Sequence, residues 1–406
     1  MPFVLNSSDI LPADAASAVL IGRAWLPGNP SGPAVVLLHN KNVIDISRIA
    51  PTVADLFEHK KLLGILSAHN GELIGTVEDL LANTSADCRD PEKPFFLSPV
   101  DLQAIKACGV TFVVSMLERV IEEKAKGDPS AAEDIRKTIN DEIGGDLASV
   151  KPGSPDAEKL KHVLISRGMW SQYLEVGIGP YAEVFTKAQP MSAVGVGAEV
   201  GIHPESTWNN PEPELVLVVN SSGDIVGATL GNDVNLRDFE GRSALLLGRA
   251  KDNNASAALG PFIRVLDKGF TLDHIRALEL ELKVQGTDDF LLRDGSSMSK
   301  ISRDPIDLVE QTISRNHQYP DGLVLFTGTL FAPVYDRDTP GMGFTHKVGD
   351  VVSISSPRLG TLINRVNLTT AVDPWLFGTR QLMWNLAQRQ LLQASTDKYN
   401  RLNVTE

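Results

Sequence analysis

The stretch Trp208–Arg242, "WNNPEPELVLVVNSSGDIVGATLGNDVNLRDFEGR", decides how this sequence is interpreted. Two apolar runs flank the turn "NSSGD", a pattern that predicts a β-hairpin. Glu212 and Glu214 lie two residues apart at the start of the first strand, so their side chains point to the same face. The second strand returns Asp233 toward them. Three carboxylates are therefore expected to converge at one end of the hairpin.

An all-oxygen set of this kind suits a hard divalent cation, Mg²⁺ or Mn²⁺. Glu212, Glu214 and Asp233 are thus the candidate metal ligands. The spacing alone leaves open a second interpretation, in which the two glutamates lie on a solvated strand edge and Asp233 begins a turn. The eight histidines are scattered singly along the chain, so the metal hypothesis depends on the carboxylates.

Composition limits the classes of function. The chain has 406 residues, 42% hydrophobic and 22% charged, which is typical of a soluble globular protein with a large core. A net charge of -13 and the lack of a basic run argue against a nucleic-acid partner. No apolar run approaches the roughly 18 residues of a membrane span. Only two cysteines and no basic leader at the start predict a cytoplasmic protein.

The order of apolar and polar residues predicts an α+β fold. Residues 18–50 have the Gly, Pro and Asn turns of short β-hairpins. Helical spacing follows in "VTFVVSMLERVIEEKAKGD", and short β runs such as "QYLEVGIG" and "ALELELKVQG" dominate later. The end, "WLFGTRQLMWNLAQRQLLQAS", predicts an amphipathic helix. We expect a small β-rich N-terminal domain over residues 1–97 and a catalytic domain over residues 98–406.

Several segments together carry a family resemblance. "EPELVLV", "GNDVNLRDFEGR", "LLLGRAKDNNASAALGPF" and "VLFTGT" resemble the fumarylacetoacetate hydrolase superfamily over roughly residues 100–370. "GVTFVVSMLERVIEE", "SQYLEV", "WNNPEPE" and "HQYPDG" are similar to its sugar-acid dehydratase branch. The resemblance implies a mixed β-roll catalytic domain, a homodimer or dimer of dimers, and a Mg²⁺ held by the three carboxylates that chelates a 2-oxo acid.

The same resemblance implies roles for four further residues. Lys251 matches a lysine of the substrate pocket, where it would neutralise an enolate or move a proton. Glu183 matches a carboxylate near the metal and is a candidate acid or base. Thr329 matches a threonine that faces the substrate carboxylate, and Lys187 is either substrate-binding or a structural cation. For Lys251 and Glu183, a plain surface position is the alternative.

One departure from the family pattern favours dehydration over hydrolysis. Hydrolase members carry a water-activating histidine where this chain has Ser115. Ser115 and Glu118 are candidate catalytic residues on a helix that would cover the pocket, whereas Glu122 is expected on its charged, solvent-facing side. Arg237 and Asp238 are expected to form a structural ion pair behind the metal ligands.

These residues together predict a metal-dependent hydro-lyase. The expected reaction converts a 2-keto-3-deoxy pentonate to 2-oxoglutarate semialdehyde. Two alternatives are a C–C hydrolase of acylpyruvates and a non-catalytic binder of sugar acids.

Overall fold

The computed structural model describes residues 5–68, 71–133, 135, 150–333 and 335–392. The strands in this part of the chain, numbered in order, are β1 Leu20–Leu26, β2 Gly32–His39, β3 Asn42–Asp45, β4 Glu72–Thr76, β5 Phe95–Leu97, β6 Ala104–Gly109, β7 Glu183–Ala188, β8 Glu199–Ile202, β9 Asn209–Asn210, β10 Pro213–Val219, β11 Ile225–Asp233, β12 Asn235–Leu236, β13 Ala257–Val265, β14 Glu279–Gln285, β15 Leu291–Ser297, β16 Leu323–Phe326, β17 Val351–Ser356 and β18 Gly360–Leu368. The α-helices are α1 Ser7–Ile10, α2 Val53–Phe57, α3 Leu62–Ser67, α4 Val77–Ala82, α5 Val113–Lys124, α6 Pro155–Ser166, α7 Gln172–Ile178, α8 Arg237–Arg242, α9 Leu247–Lys251, α10 Leu272–Arg276, α11 Pro305–Thr312 and α12 Thr379–Gln388.

The larger sheet combines strands from the first 97 residues with strands from the middle of the chain. Its described strands run in the order β4-β3-β2-β1-β13-β11-β10-β16-β6-β7, and β5 pairs with β1. The predicted N-terminal hairpins are confirmed as antiparallel β1–β2 and β2–β3 pairs. Because β1 also pairs with β13, the first 97 residues share this sheet with the rest of the protein. The domain boundary at residue 97 stays a prediction.

The predicted hairpin is confirmed at the centre of this sheet. Strands β10 and β11 are antiparallel, with Glu214 opposite Gly231. Both faces of β10 are buried, since Leu217 packs into one hydrophobic cluster and Val218 into another. A strand covered on both faces explains the uninterrupted apolar run "LVLVV". The hairpin end that carries the carboxylates is therefore held rigidly inside the protein.

A second described sheet, in the order β15-β14-β17-β18-β8, packs against one face of the first. Its strand β14 alternates between the core and solvent: Leu280, Leu282 and Val284 are buried, while Glu281 is exposed. This period-two pattern is the one that the sequence predicts for "ALELELKVQG". Two β layers with short helices around them make an α+β protein.

One of the predicted strands is a helix. "QYLEVGIG" forms α7, which begins after Ser171, whose hydroxyl accepts a hydrogen bond from the Tyr173 amide. Residues 173, 174, 177 and 178 are the buried ones, which is the spacing of one helical face and not the alternation of a strand. The strand prediction was wrong because a short apolar run fits both periods.

Two predicted helices are confirmed, α5 at "VTFVVSMLERVIEEKAKGD" and α12 near the chain end. None of the helices in the described part of the chain combines the length and the apolar character that crossing a membrane requires.

Candidate metal and active site

The end of the β10–β11 hairpin brings the three predicted ligands together. Glu212 precedes β10, Glu214 lies on it, and Asp233 is the last residue of β11. The Asp233 amide donates to the Glu212 carbonyl at 3.1 Å, which fixes the two chain segments side by side. One carboxylate oxygen from each residue lies within 4.8 Å of the others, and all three residues are buried. The predicted convergence is confirmed.

Glu214 is bound by uncharged donors. Its Oε2 accepts from the Gly328 amide at 2.7 Å, and its Oε1 accepts from the Thr329 hydroxyl at 3.3 Å. Burial, together with the negative charges of Asp233 and Glu212, raises the pKa of Glu214 well above its usual value. A buried carboxyl group in this condition gains stability from any cation placed beside it.

Two lysines contact the other two carboxylates. Lys251, the last residue of α9, places its Nζ 2.5 Å from Glu212 Oε2 and 3.1 Å from Asp233 Oδ2. Burial lowers the pKa of Lys251, but the charges of Asp233 and Glu212 outweigh it and raise that pKa above its ordinary value. The lysine is thus held as an ammonium ion.

Lys187 lies behind Asp233. Its Nζ is 3.1 Å from Asp233 Oδ1, an ion pair without hydrogen-bond geometry, and it donates to the Ser256 hydroxyl and to the backbone carbonyl of Lys251. The side chain is fully buried. Glu212, Glu214 and Asp233 line a small cavity, and Lys187 is not among the described residues that line it. This position favours the structural alternative over substrate binding.

Sequence reasoning missed Arg119, on α5, which reaches one of the predicted metal ligands. Its guanidinium donates to Glu212 Oε1 and to Glu122 Oε2, and lies 3.1 Å from Glu240 Oε2. With Lys251, it counteracts the effect of burial and lowers the pKa of Glu212 to about 2. Arg119 stands four residues after Ser115, so helical spacing could have identified it as a residue of the same face.

Glu240, on α8, was also missed. It lines the cavity and is almost fully buried, and burial raises its pKa to about 7 despite the charge of Arg119. The signal available in the sequence was its position in "NLRDFEGR", a segment that begins two residues after the predicted ligand Asp233.

A second cluster of buried charges fastens α5 to α8, and we call it the helix clamp. Its members are Arg237, Glu118 and Glu122. Arg237 Nε donates to Glu122 at 2.7 Å, and its Nη2 donates to Glu118 at 3.0 Å. The prediction that Glu122 faces solvent was wrong, because only 1% of its side chain is exposed.

The predicted Arg237–Asp238 ion pair was wrong as well. Arg237 donates to Glu122 within the helix clamp, while Asp238 accepts hydrogen bonds from the Ser206 hydroxyl and the Thr207 amide. Adjacent side chains on a helix point in directions about 100° apart, so each finds its own partners. Glu118 is not among the described residues that line the cavity, and its predicted catalytic role stays a prediction.

Glu183 stands at the start of β7, opposite Gly109 at the end of β6. A Cβ atom on Gly109 would lie 1.9 Å from Glu183 Oε2, so the carboxyl group rests directly over the glycine. Burial raises the pKa of Glu183, and the residue lines the same cavity as the carboxylate triad of Glu212, Glu214 and Asp233.

The remaining predicted residues, Ser115 and Thr329, also line the cavity. The Ser115 hydroxyl donates to the Phe112 carbonyl at 2.9 Å, which leaves its oxygen as an acceptor. The cavity measures about 20 Å³, space for about one water molecule, and Lys251 and Arg119 are among the residues that line it.

The donor set fits a hard divalent cation. Three buried carboxylates converge, and one of them, Glu214, has no Lys or Arg within ion-pair distance among the described residues. Oxygen ligands and high negative charge density are what Mg²⁺ and Mn²⁺ select.

The α+β fold is similar to that of the fumarylacetoacetate hydrolase family over part of the chain. Residues 175–367 match the family described as "Fumarylacetoacetate (FAA) hydrolase C-terminal". The predicted resemblance is therefore confirmed over these residues.

Two curated relatives are each similar to about half of the chain. The 2-dehydro-3-deoxy-D-arabinonate dehydratase of Saccharolobus solfataricus is 33% identical over 184 residues, which cover 45% of this chain and 58% of the relative. A probable 2-keto-3-deoxyxylonate dehydratase of Haloferax volcanii is 32% identical over 198 residues, covering 49% and 64%. The match thus spans less than two thirds of either relative.

Solved structures extend the fold likeness to most of the chain. A 2-keto-3-deoxy-D-arabinonate dehydratase complexed with magnesium and 2,5-dioxopentanoate has a TM-score of 0.57 and 22% identity, and covers 86% of this chain and 99% of its own. An apo form of such a dehydratase has a TM-score of 0.57 and 21% identity, with the same coverage. These likenesses confirm the predicted fold class.

Proposed function

We propose that this protein is a metal-dependent hydro-lyase that dehydrates a 2-keto-3-deoxy pentonate to 2-oxoglutarate semialdehyde. The observation that carries the proposal is the buried carboxylate triad with Lys251 and Glu183 in one cavity. Two curated relatives are named as dehydratases of this substrate class, and 2,5-dioxopentanoate, bound in a similar structure, is the same compound as the proposed product.

Glu212, Glu214 and Asp233 would hold Mg²⁺ or Mn²⁺. Such a cation supplies Lewis-acid polarisation of a 2-oxo acid, which makes a C3 proton easier to remove. The chain's own residues would provide the rest of the chemistry.

Glu183 is the residue that we assign to proton transfer. Its carboxyl group lies in the cavity over Gly109, and burial raises its pKa toward the range in which a carboxyl group both takes and gives protons. As a carboxylate it would accept the C3 proton. As a carboxylic acid it would then protonate the C4 hydroxyl, so that the C4–O bond breaks and water leaves.

Lys251 would stabilise the negative charge of the enolate. Its pKa is raised, which favours a permanent ammonium ion over the proton shuttle that the sequence also allowed. Thr329 and Ser115 would offer hydroxyl groups to the substrate from the cavity wall. The unsaturated product would lose a C5 proton to form a dienol. Protonation of that dienol at C4 and at C3 would then give the aldehyde at C5.

The deciding experiment is turnover. Purified protein with Mg²⁺ and a 2-keto-3-deoxy pentonate should form the semialdehyde, measured through a coupled aldehyde dehydrogenase, and EDTA should stop the reaction. Acylpyruvates should remain intact, since Ser115 stands where hydrolases activate water. Cleavage of acylpyruvate without semialdehyde would support a C–C hydrolase, and binding without turnover would support a sugar-acid binder.

We also propose a homodimer or dimer of dimers in the cytoplasm, as the family resemblance and the two unpaired cysteines suggest. Light scattering during gel filtration tests the oligomeric state: an average mass near the 43.9 kDa of one chain would contradict it.

A further inference from the structure

Outer contacts hold one oxygen of each triad carboxylate. Arg119 binds Glu212 Oε1, and Lys187 lies 3.1 Å from Asp233 Oδ1. The Gly328 amide binds Glu214 Oε2. Each contact comes from a different part of the chain, so the orientation of every carboxylate is set independently of any cation bound between them.

The opposite oxygens of two of these carboxylates share one partner, the ammonium group of Lys251. Its Nζ lies 2.5 Å from Glu212 Oε2 and 3.1 Å from Asp233 Oδ2. A compact positive charge thus sits against the oxygens that the outer contacts leave available, and only 3% of the Lys251 side chain is exposed.

We propose that Lys251 is a built-in competitor for the cation site, which must give up Glu212 Oε2 and Asp233 Oδ2 before a divalent cation binds there. The inference rests on the metal site of the proposed function and adds a coupling to it. Because one set of oxygens cannot serve both cations, occupation by the metal and release of the lysine are linked.

The coupling explains how the lysine would reach the substrate. With its Nζ on two carboxylates, Lys251 fills part of a cavity of only about 20 Å³, too small for a sugar acid. Release of those oxygens frees both the ammonium group and the space around it. Lys251 would therefore be ready for the substrate only when the cation site is loaded.

Calorimetric titration of Mg²⁺ and of Mn²⁺ into EDTA-treated, desalted protein tests the competition. Lys251→Met removes the competing charge and keeps a side chain of similar length. We expect the Kd of the metal to fall by about tenfold or more, within the usual range of such coupling. The kcat of the same variant should fall, so tighter metal binding and slower turnover would occur together.

Lys106 provides a matched control. It lies on β6 outside the cavity, where its Nζ donates to the Thr186 hydroxyl at 3.0 Å. Lys106→Met removes the same unit of charge without touching the triad, and its metal Kd should stay within about twofold of the wild type, as for a screened surface charge. Equal tightening in both variants would attribute the effect to net charge and overturn the proposal.

A thermal measurement covers the case in which Lys251→Met is unstable after EDTA treatment. Its Tm should then rise more than that of the wild type when Mg²⁺ is added, because the stabilisation of the folded state by a ligand grows with the logarithm of its affinity. A Kd that is unchanged or higher in Lys251→Met, or a Tm rise no greater than in the wild type, would overturn the competition. Wild-type protein that binds Mg²⁺ but forms no semialdehyde would instead refute the proposed function and leave this test valid.

Discussion

The helix clamp and the carboxylate triad both bury acidic side chains, yet their partners differ. In the clamp, Arg237 bonds Glu118 and Glu122, and Glu122 also binds Arg119. In the triad, the donors to Glu214 among the described residues are an amide and a hydroxyl. Each carboxylate of the clamp therefore has an arginine within ion-pair distance. The triad, in contrast, gains stability when a cation binds beside Glu214. Complete pairing marks structure, and incomplete pairing marks the place where a ligand is expected.

The largest difference should appear when each cluster loses its key charge, beginning with the triad. Glu214→Gln keeps the shape of the side chain but removes a ligand charge. We expect turnover to fall by at least about 10³-fold, the upper range for losing one placed electrostatic group. Metal binding by calorimetry should weaken as well. A folded variant with wild-type Kd and kcat would remove Glu214 from the metal site.

Arg237→Met tests the clamp. The change removes the buried positive charge that Glu118 and Glu122 share, and breaking a buried ion pair by removing one partner typically costs about 3–5 kcal/mol. Urea unfolding should show this loss of free energy of unfolding. In the protein that remains folded, the metal Kd should stay close to the wild-type value. A stable variant that has lost its metal affinity would contradict the distinction between the two clusters.

Glu183→Gln should leave both clusters intact and affect only proton transfer. We expect kcat to fall by about 10²-fold, a usual acid–base contribution, at an unchanged metal Kd and Tm. Steady-state kinetics with saturating Mg²⁺ provide the measurement. If kcat is retained, Glu240 is the next carboxyl group to examine, since it lines the same cavity.

His346 offers the smallest effect, in a structural cluster with Asp350. Its Nδ1 lies 3.4 Å from Asp350 Oδ2, and burial lowers its pKa. The unfolded chain, with a His pKa of about 6.5, therefore binds this proton more readily. The contribution of neutral His346 to the free energy of unfolding is therefore complete above about pH 6.5. It is lost as the pH falls toward the lower pKa of His346 in the folded protein.

Comparison with His346→Gln isolates this term. Between pH 7 and pH 5, the wild type should lose stability more steeply, by at most about 1.4 kcal/mol per pH unit for one proton. Urea midpoints at several pH values measure the slopes. Parallel slopes in the two proteins would show that His346 does not take up a proton on unfolding.

The sequence predicted the triad because its signal is local. Glu212 and Glu214 share a face because they are two residues apart in an extended segment. A single turn brings Asp233 back beside them on the second strand of the hairpin. The same reasoning failed on α5. Glu122 was expected on the solvent-facing side of this helix, although it reaches Arg237, and Arg119 was not identified, although it reaches the triad.

Those partners lie far apart in the sequence, so no local pattern could reveal them. Arg119 meets Glu212 across 93 positions, and Arg237 meets Glu122 across 115. A buried charge on a helix indicates that a partner exists, but only the packing of α5 against α8 identifies it. The wrong strand prediction at α7 has a simpler cause, a run too short to separate two periods.

Gly109 has a practical consequence for engineering. Glu183 Oε2 occupies the space that a side-chain methyl group at this position would fill. Gly109 is not among the described residues with positive φ. An alanine would therefore fit the backbone while pushing the neighbouring carboxyl group aside. Gly109→Ala would thus be a steric probe that displaces the carboxyl group of Glu183 without removing it.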